Sequence, residues 1–199
     1  MDIEVRRLAD AVDRVRAETD GRATTGRTHQ GADDEIGTIG TDDARDFDPL
    51  SVLRALDAHD APVVVIGQVA GIMHGSLDLT GDLDLLWDGD RRWASAMAAG
   101  FGAAGASLAD DDGVPVRCDP AAFALPKVLF SAPGASGDCC TVALPWGEID
   151  VAGMLSRHLV ADADGFQIRY VARPDLIAMR RAIGRPKDLR RAAELERLP

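Results

Sequence analysis

Two aspartates, Asp82 and Asp84, lie one residue apart within the apolar run GDLDLLW at residues 81–87. Alternate side chains of a β-strand point to opposite faces, so both carboxylates share one face and the intervening leucines the other. Adjacent carboxylates repel one another and lose hydration on burial, which costs stability unless a cation compensates. The run therefore predicts a strand whose acidic face needs positive charge from elsewhere in the fold.

Short apolar runs alternate with helical patterns along the chain, and this mixture predicts the fold class. The predicted strands are 63–66, 81–87, 127–132, 141–144, 146–153 and 166–172. The predicted helices are 2–19, a helix opening at Asp48-Pro49, 68–74, 91–100, and two in 173–198 that are broken near Gly184–Pro186. Because the elements mix without strict βαβ alternation, we expect an α+β (mixed α/β) protein with a mixed sheet, flanking helices and a C-terminal helical segment.

The first 46 residues differ in composition from the rest of the chain. Residues 2–19 have one narrow apolar stripe, too short for a stable coiled coil, so this helix must dock on something, and a protein partner is one candidate. Between Gly21 and Asp46 the only large apolar residues are Ile36 and Ile39. We therefore predict an N-terminal helix and flexible linker over 1–46 and a domain over 47–199, and expect the domain to fold without the first 46 residues.

Charge and composition limit the function classes. The net charge of −11 argues against broad binding to nucleic acid or to an anionic membrane. Residues 169–199 carry nine Lys or Arg against four Asp or Glu, and this basic tail either holds phosphates or forms the solvated face of two helices. The chain has no long apolar run, begins with a highly charged segment and contains three cysteines. These features predict a cytoplasmic protein with no membrane contact.

A third acid, Asp150, lies on the predicted strand at 146–153, with Glu148 on the same face. If that strand neighbours residues 81–87, three carboxylates converge on one point. Mg²⁺ and Mn²⁺ prefer such oxygen ligands, and two ions can clamp the oxygens of a phosphoryl transfer. Gly67, between a strand and a helix, would allow a phosphate to approach the backbone closely. A solitary pair of aspartates at this spacing is common, so spacing alone does not establish a metal site.

The segment VVIGQVAGIMHGSLDLTGDLDLLW resembles the nucleotidyltransferase superfamily related to DNA polymerase beta. That family has a strand ending in Gly, a short helix ending in His-Gly, and Thr-x-Asp-x-Asp on the next strand. Its third carboxylate lies between two apolar residues on a later strand, as Asp150 does here. The C-terminal DLIAMRRAIGRPKDL is similar to the motif DLIxxKxxAxRxKDxxD of minimal and abortive-infection-type members.

The resemblance implies a role for each matching residue. Asp82, Asp84 and Asp150 would be catalytic and would ligate Mg²⁺ or Mn²⁺. The implied nucleotide-binding residues are Gly67, Gln68, Thr80, Arg180, Arg185 and Lys187. The implied reaction is attack of an acceptor hydroxyl on the α-phosphate of a nucleoside triphosphate such as ATP, with release of pyrophosphate. The acceptor could be RNA, as in toxin members, a protein side chain, or a small molecule such as an aminoglycoside.

Three positions depart from the family pattern. Gln68 stands where Gly or Ser is usual, Asp78 where many members have Arg, and Arg180 where the C-terminal motif has Lys. A planar guanidinium does not reproduce the geometry of an ammonium group. These departures favour the alternative function, a non-catalytic nucleotidyltransferase-like module that binds a protein partner. A dinucleotide-binding fold is excluded because the chain has neither G-x-G-x-x-G after a strand at GQVAG nor a P-loop.

Overall fold

A mixed β-sheet forms the centre of the fold and confirms the predicted α+β class. The computed structural model describes residues 1–32 and 37–199. The strands within them are β1 Val64–Val65, β2 Leu85–Trp87, β3 Ser107–Ala109, β4 Pro115–Val116, β5 Lys127–Ala132, β6 Ala135–Thr141, β7 Leu159–Asp162 and β8 Gln167–Tyr170. They form one sheet in the order β4-β3-β5-β6-β2-β1-β8-β7. β1 is parallel to β8 and β2 to β6, and the other neighbouring pairs are antiparallel.

Helices pack around this sheet in two groups. In the described part of the chain they are α1 Ile3–Thr19, α2 Leu50–Ala58, α3 Gly67–Met73, α4 Ala94–Ala103, α5 Val151–Ser156, α6 Arg173–Ile183 and α7 Pro186–Arg197. One group is continuous from α1 through α3 and α6 to α7, and the other pairs α2 with α4. The predicted break between the last two helices is confirmed, since Gly184 ends α6 at a φ of 73° and Pro186 begins α7.

The predicted N-terminal helix is confirmed as α1, and it docks on this chain itself. The apolar stripe is buried, and Val5, Leu8 and Val15 belong to the same hydrophobic cluster as the sheet. Arg7 adds a polar contact, because its guanidinium donates a hydrogen bond to the carbonyl of Met73 at 3.1 Å. Helix α1 is therefore part of the hydrophobic core.

Parts of the stretch predicted as a flexible linker contact the rest of the domain. The stretch contains three short 3-10 turns, His29–Gly31, Thr38–Gly40 and Asp42–Ala44, whereas Ile36 lies outside the described residues. Ala44 is fully buried, and the guanidinium of Arg22 donates a hydrogen bond to the carbonyl of Ile39 at 2.6 Å. Polar contacts of this kind leave no apolar periodicity in a sequence.

Two predicted strands are wrong. The strand expected at 141–144 is β6, Ala135–Thr141, which lies between β5 and β2 and ends where the prediction began. Its residues are small because the neighbouring backbone is close: a Cβ on Gly137 would overlap the backbone of Leu83. The strand expected at 146–153 is instead a loop followed by α5, since Asp150 caps that helix by accepting a hydrogen bond from the Gly153 amide at 2.9 Å.

Candidate functional site

The paired aspartates lie on extended chain immediately before β2, with protein on both sides. The amide of Leu83 donates to the Ser136 carbonyl, and the amide of Ile66 donates to the Asp84 carbonyl, each at 2.9 Å. This pairing fixes the backbone, so the carboxylates of Asp82 and Asp84 share one face and line the same cavity. Burial of Asp84, together with the negative charges of Asp82 and Asp138, holds the pKa of its carboxyl well above the usual range.

The third carboxylate of this cavity is Asp138, on β6. Leu85 on β2 pairs with Cys139 on β6. Because the two strands are parallel, the preceding residues, Asp84 and Asp138, also lie side by side. Sequence reasoning missed Asp138, although it shows the signal that identified the first pair: an acid inside a run of small and apolar residues, SGDCCTVAL, at residues 136–144.

The structure does not bring Asp150 to the other two acids. Its side chain is 71% exposed, caps α5 and lies 3.6 Å from the guanidinium of Arg157. Neither Asp150 nor Glu148 lines the cavity. Asp138, and not Asp150, therefore lies beside Asp84, because the strand beside β2 is β6 and not the segment that contains Asp150.

The other predicted site residues surround one cavity of about 520 Å³. They come from elements far apart in the chain, since α3, the loop before β2 and the α6–α7 junction all open onto it. Lining it are Gly67, Gln68, Thr80, Asp82, Asp84, Arg180, Arg185 and Lys187. The lining also includes residues that sequence reasoning did not find, among them His29, Thr38, Lys127 and Asp138.

Gly67 is required by its conformation and by its neighbour. Its φ is +64°, a region that L side chains rarely adopt, and a Cβ there would overlap Oδ2 of Asp84. The turn from β1 into α3 therefore lies directly against the acidic pair. This close approach supports the prediction that Gly67 opens the site.

Two of the departures from the family pattern are partners of each other. Gln68 and Arg180 are each 4% exposed, and Oε1 of Gln68 accepts a hydrogen bond from Nη2 of Arg180 at 2.6 Å. Burial lowers the pKa of Arg180 to about 10. Its other terminal nitrogen, Nη1, is buried and has no hydrogen-bond partner among the described residues. The two residues therefore contact each other directly, and Nη1 of Arg180 is left as a donor at the cavity wall.

The third departure, Asp78, lies outside the cavity. Its carboxylate accepts a hydrogen bond from Nε of Arg191 on α7 at 3.1 Å. Its negative charge is therefore partly neutralised away from the acidic cluster. At the α6–α7 junction Arg185 makes a two-pronged contact with Asp188, with Nε 2.6 Å from Oδ2, so the guanidinium is held at the cavity mouth.

Two hydroxyl groups orient Asp82. Thr80, from the motif, and Thr38, from the N-terminal segment, both donate hydrogen bonds to Oδ1 of Asp82, Thr38 at 2.8 Å. The Thr38 hydroxyl also accepts a hydrogen bond from the amide of Gly81 at 3.1 Å. Contacts from two separate parts of the chain therefore fix the orientation of the Asp82 carboxylate, including its second oxygen, Oδ2.

Two cationic side chains lie at Asp138. Nζ of Lys127 is 3.2 Å from Oδ2 of Asp138, and Nε2 of His29 is 3.6 Å from its Oδ1, an ion-pair distance too long for a hydrogen bond. Burial tends to raise the pKa of Asp138, but His29 and Lys127 outweigh it and lower that pKa. Burial likewise tends to lower the pKa of His29, but its contacts with Asp138 and Asp43 raise it to about 10.

As the side chains stand, the described residues contain no group of three or more Asp, Glu, His or Cys close enough together to hold a metal ion. No helix in the described ranges is long and apolar enough to cross a bilayer.

No family model, curated protein or solved structure matches the chain.

Proposed function

We propose that this protein is a nucleotidyltransferase that moves a nucleoside monophosphate from a nucleoside triphosphate to an acceptor hydroxyl. One observation carries the proposal: Asp82, Asp84 and Asp138 line a single cavity with the basic residues of the α6–α7 junction. Acidic and basic groups in one cavity suit a metal-bound triphosphate, because the acids hold cations and the bases hold phosphates. The sequence resemblance described above supports the same reaction.

The residues fit Mg²⁺ or Mn²⁺ by the chemistry of their donors. The set is entirely carboxylate oxygen, which hard divalent ions prefer. Oδ1 of Asp138 is buried without a hydrogen-bond partner among the described residues, so it retains a free acceptor. When bound, the metal would supply charge to stabilise developing oxyanions and to lower the pKa of the attacking hydroxyl.

The chain's own residues position the reactants. Thr38 and Thr80 fix the carboxylate of Asp82, and Gly67 leaves room for Asp84 at the cavity floor. Nη1 of Arg180 provides a donor in a site of low dielectric, where a hydrogen bond to phosphate oxygen is strong. We assign nucleotide binding to Gly67, Gln68, Thr80, Arg180, Arg185 and Lys187, all of which line the cavity.

The proposed acceptor classes stay RNA, a protein side chain and a small hydroxylated molecule. A toxin-like role goes with the first of these, RNA. The cytoplasm stays the proposed compartment, supported by Cys118, Cys139 and Cys140, which are free thiols. The first 46 residues stay a proposed contact for a protein partner, although α1 itself is packed on the core.

A labelling assay tests the proposal and identifies the acceptor class. The protein is incubated with each α-³²P nucleoside triphosphate and with Mg²⁺ or Mn²⁺, and transfer of label to total RNA, protein or small molecules is measured. Asp138→Asn should reduce the rate of transfer more than about 100-fold. Substitution of a residue that only supports a metal ligand costs up to about 100-fold, so a larger loss marks Asp138 as a ligand itself. Asp150→Asn is the matched control and should transfer as wild type does.

Two results would contradict the assignment. A loss of transfer in Asp150→Asn with none in Asp138→Asn would return the third carboxylate to Asp150. A wild-type protein that binds no triphosphate and transfers no label, with every nucleotide and both metals, would favour the non-catalytic module.

A further inference from the structure

Residues 22–32, which we call the strap, contribute His29, Gln30 and Ala32 to the lining of the cavity, and Asp42 helps to hold them in place. The carboxylate of Asp42 accepts hydrogen bonds from the amides of Thr25 and Gly26, each at 2.8 Å. The amide of Asp42 in turn donates to the carbonyl of Arg27 at 2.8 Å. On the side of the strap these contacts are made at exposed residues, where each hydrogen bond contributes little net stability because water competes for the same groups.

His29 is the strap residue that reaches the acidic cluster. Its amide donates to Oδ2 of Asp43 at 2.6 Å, and Nδ1 lies 3.0 Å from the same oxygen. These two contacts aim the opposite edge of the ring, Nε2, at Oδ1 of Asp138. The side chain is only 12% exposed, so the ring fills space within the cavity wall.

The contact between His29 and Asp138 is close but incomplete. Both Nε2 of His29 and Oδ1 of Asp138 are buried without a hydrogen-bond partner among the described residues, at a separation of 3.6 Å. Buried polar atoms left in this condition cost free energy, so a ligand that satisfies Oδ1 would be favoured. A Mg²⁺ ion binds carboxylate oxygen at about 2.1 Å and keeps several waters. Such a hydrated ion on Oδ1 would need the space that the His29 ring fills.

We propose that the strap is autoinhibitory: the ring of His29 occupies the place of the divalent cation at Asp138, and metal binding displaces the strap. The inference rests on the proposed function, since it assumes that Asp82, Asp84 and Asp138 hold a metal. It follows from the geometry at Asp138, whose carboxylate lies within ion-pair distance of both His29 and Lys127.

Mn²⁺ titration of the full-length chain by calorimetry tests this displacement. His29→Ala should lower the Kd for Mn²⁺ about five- to tenfold, because the ion no longer competes with the ring. His59→Ala is the matched control, since His59 is exposed at the end of α2, and it should leave the Kd unchanged. Asp42→Asn keeps all three carboxylates of the cluster and His29 but weakens the fastening, so it should lower the Kd in the same direction even if His29→Ala folds poorly.

Trypsin cleavage of the wild-type protein provides a second measurement. The carbonyl of Arg27 is held by the Asp42 amide, so cleavage after Arg27 requires the strap to open. Saturating Mn²⁺ should accelerate this cleavage about fivefold. Cleavage after Arg117, whose side chain is 92% exposed, serves as the control and should not respond to the metal.

The outcomes separate the two proposals. Mn²⁺ binding with the same Kd in wild type, His29→Ala and Asp42→Asn would overturn the autoinhibitory strap and leave the proposed function standing. Unchanged Mn²⁺ affinity with slower nucleotide transfer in His29→Ala would also overturn it, because His29 would then act in the reaction. If no variant binds Mn²⁺, the proposed function fails and the strap inference fails with it.

Discussion

Residues from the floor of the cavity and from the strap line the same cavity, yet different forces hold the two regions. The floor consists of β1, α3 and β2, and the side chains of Val64, Val65, Leu85 and Leu86 are each at most 3% exposed. Among residues 22–32, all of which the structure describes, no residue is buried. Each buried aliphatic side chain contributes about 1.5–3 kcal/mol, whereas an exposed hydrogen bond contributes about 1 kcal/mol or less. A rigid floor and a releasable strap follow from this difference.

Residues 37–46 and α1 lie between these extremes. Residue 44 is fully buried and α1 supplies apolar residues to the core, but Thr38 contributes only hydrogen bonds. The N-terminal part of the chain therefore contains both kinds of attachment. Substitutions chosen by attachment type should separate them.

Deletion of residues 1–46 should have the largest effect. It removes Val5, Leu8, Val15 and Ala44 from the core, and at about 1.5–3 kcal/mol for each large side chain the loss approaches a typical total stability of about 5–15 kcal/mol. We expect loss of cooperative thermal unfolding, the reverse of what composition suggested. Leu8→Ala alone should cost about 2–5 kcal/mol in denaturant titrations, and Arg6→Ala, at an exposed position, should cost almost nothing. A soluble truncation with a sharp transition would show that α1 is dispensable.

Gly67→Ala and Gly26→Ala compare the floor with the strap directly. Both glycines have positive φ, +64° and +71°, but a Cβ on Gly67 overlaps Asp84 while one on Gly26 meets nothing within 4 Å. Gly67→Ala should lower the free energy of unfolding by about 3 kcal/mol, from backbone strain and overlap together. Gly26→Ala should cost about 1 kcal/mol, from backbone strain alone. Equal losses in urea titrations would remove the distinction between the two regions.

Thr38→Val should have a smaller effect, because it removes one hydroxyl and keeps the shape. It leaves Oδ1 of Asp82 with one donor fewer and the Gly81 amide without its acceptor, at a cost of about 1–2 kcal/mol. Thr38→Ser keeps the hydroxyl and is the control. If the serine variant is destabilised as much as the valine variant, the methyl group of Thr38 carries the contact.

Apolar periodicity predicted the regions that apolar packing holds. The strand, Gly67 break and helix at 63–74, and the paired aspartates before β2, follow from patterns that span a few residues. The strap does not, because the Asp42 contacts with Thr25 and Gly26 join residues 16 and 17 positions apart without any periodic signal. The pairing of Gln68 with Arg180 is likewise visible only after folding, since 112 positions separate them.

The third acid shows a different failure. Asp150 and Asp138 each lie near an apolar stretch, and the sequence does not say which one neighbours β2. Strand order decides the choice, and β6 pairs with β2 through a parallel connection that local pattern does not predict. The cap signal of Asp150, an aspartate three residues before Gly153, was available but was outweighed by the apolar residues on either side of it.

Thermal unfolding with and without Mg²⁺ is the most direct test of the central claim, that Asp82, Asp84 and Asp138 form one metal site. Mg²⁺ should raise the Tm of wild type and of Asp150→Asn, because a ligand that binds the folded state stabilises it. It should not raise the Tm of Asp84→Asn or Asp138→Asn.

Without metal, Asp84→Asn should melt at or above wild type. The raised pKa of Asp84 means that its ionised form destabilises the fold, and asparagine removes that charge. A Mg²⁺ shift that persists in Asp138→Asn and disappears in Asp150→Asn would contradict the account.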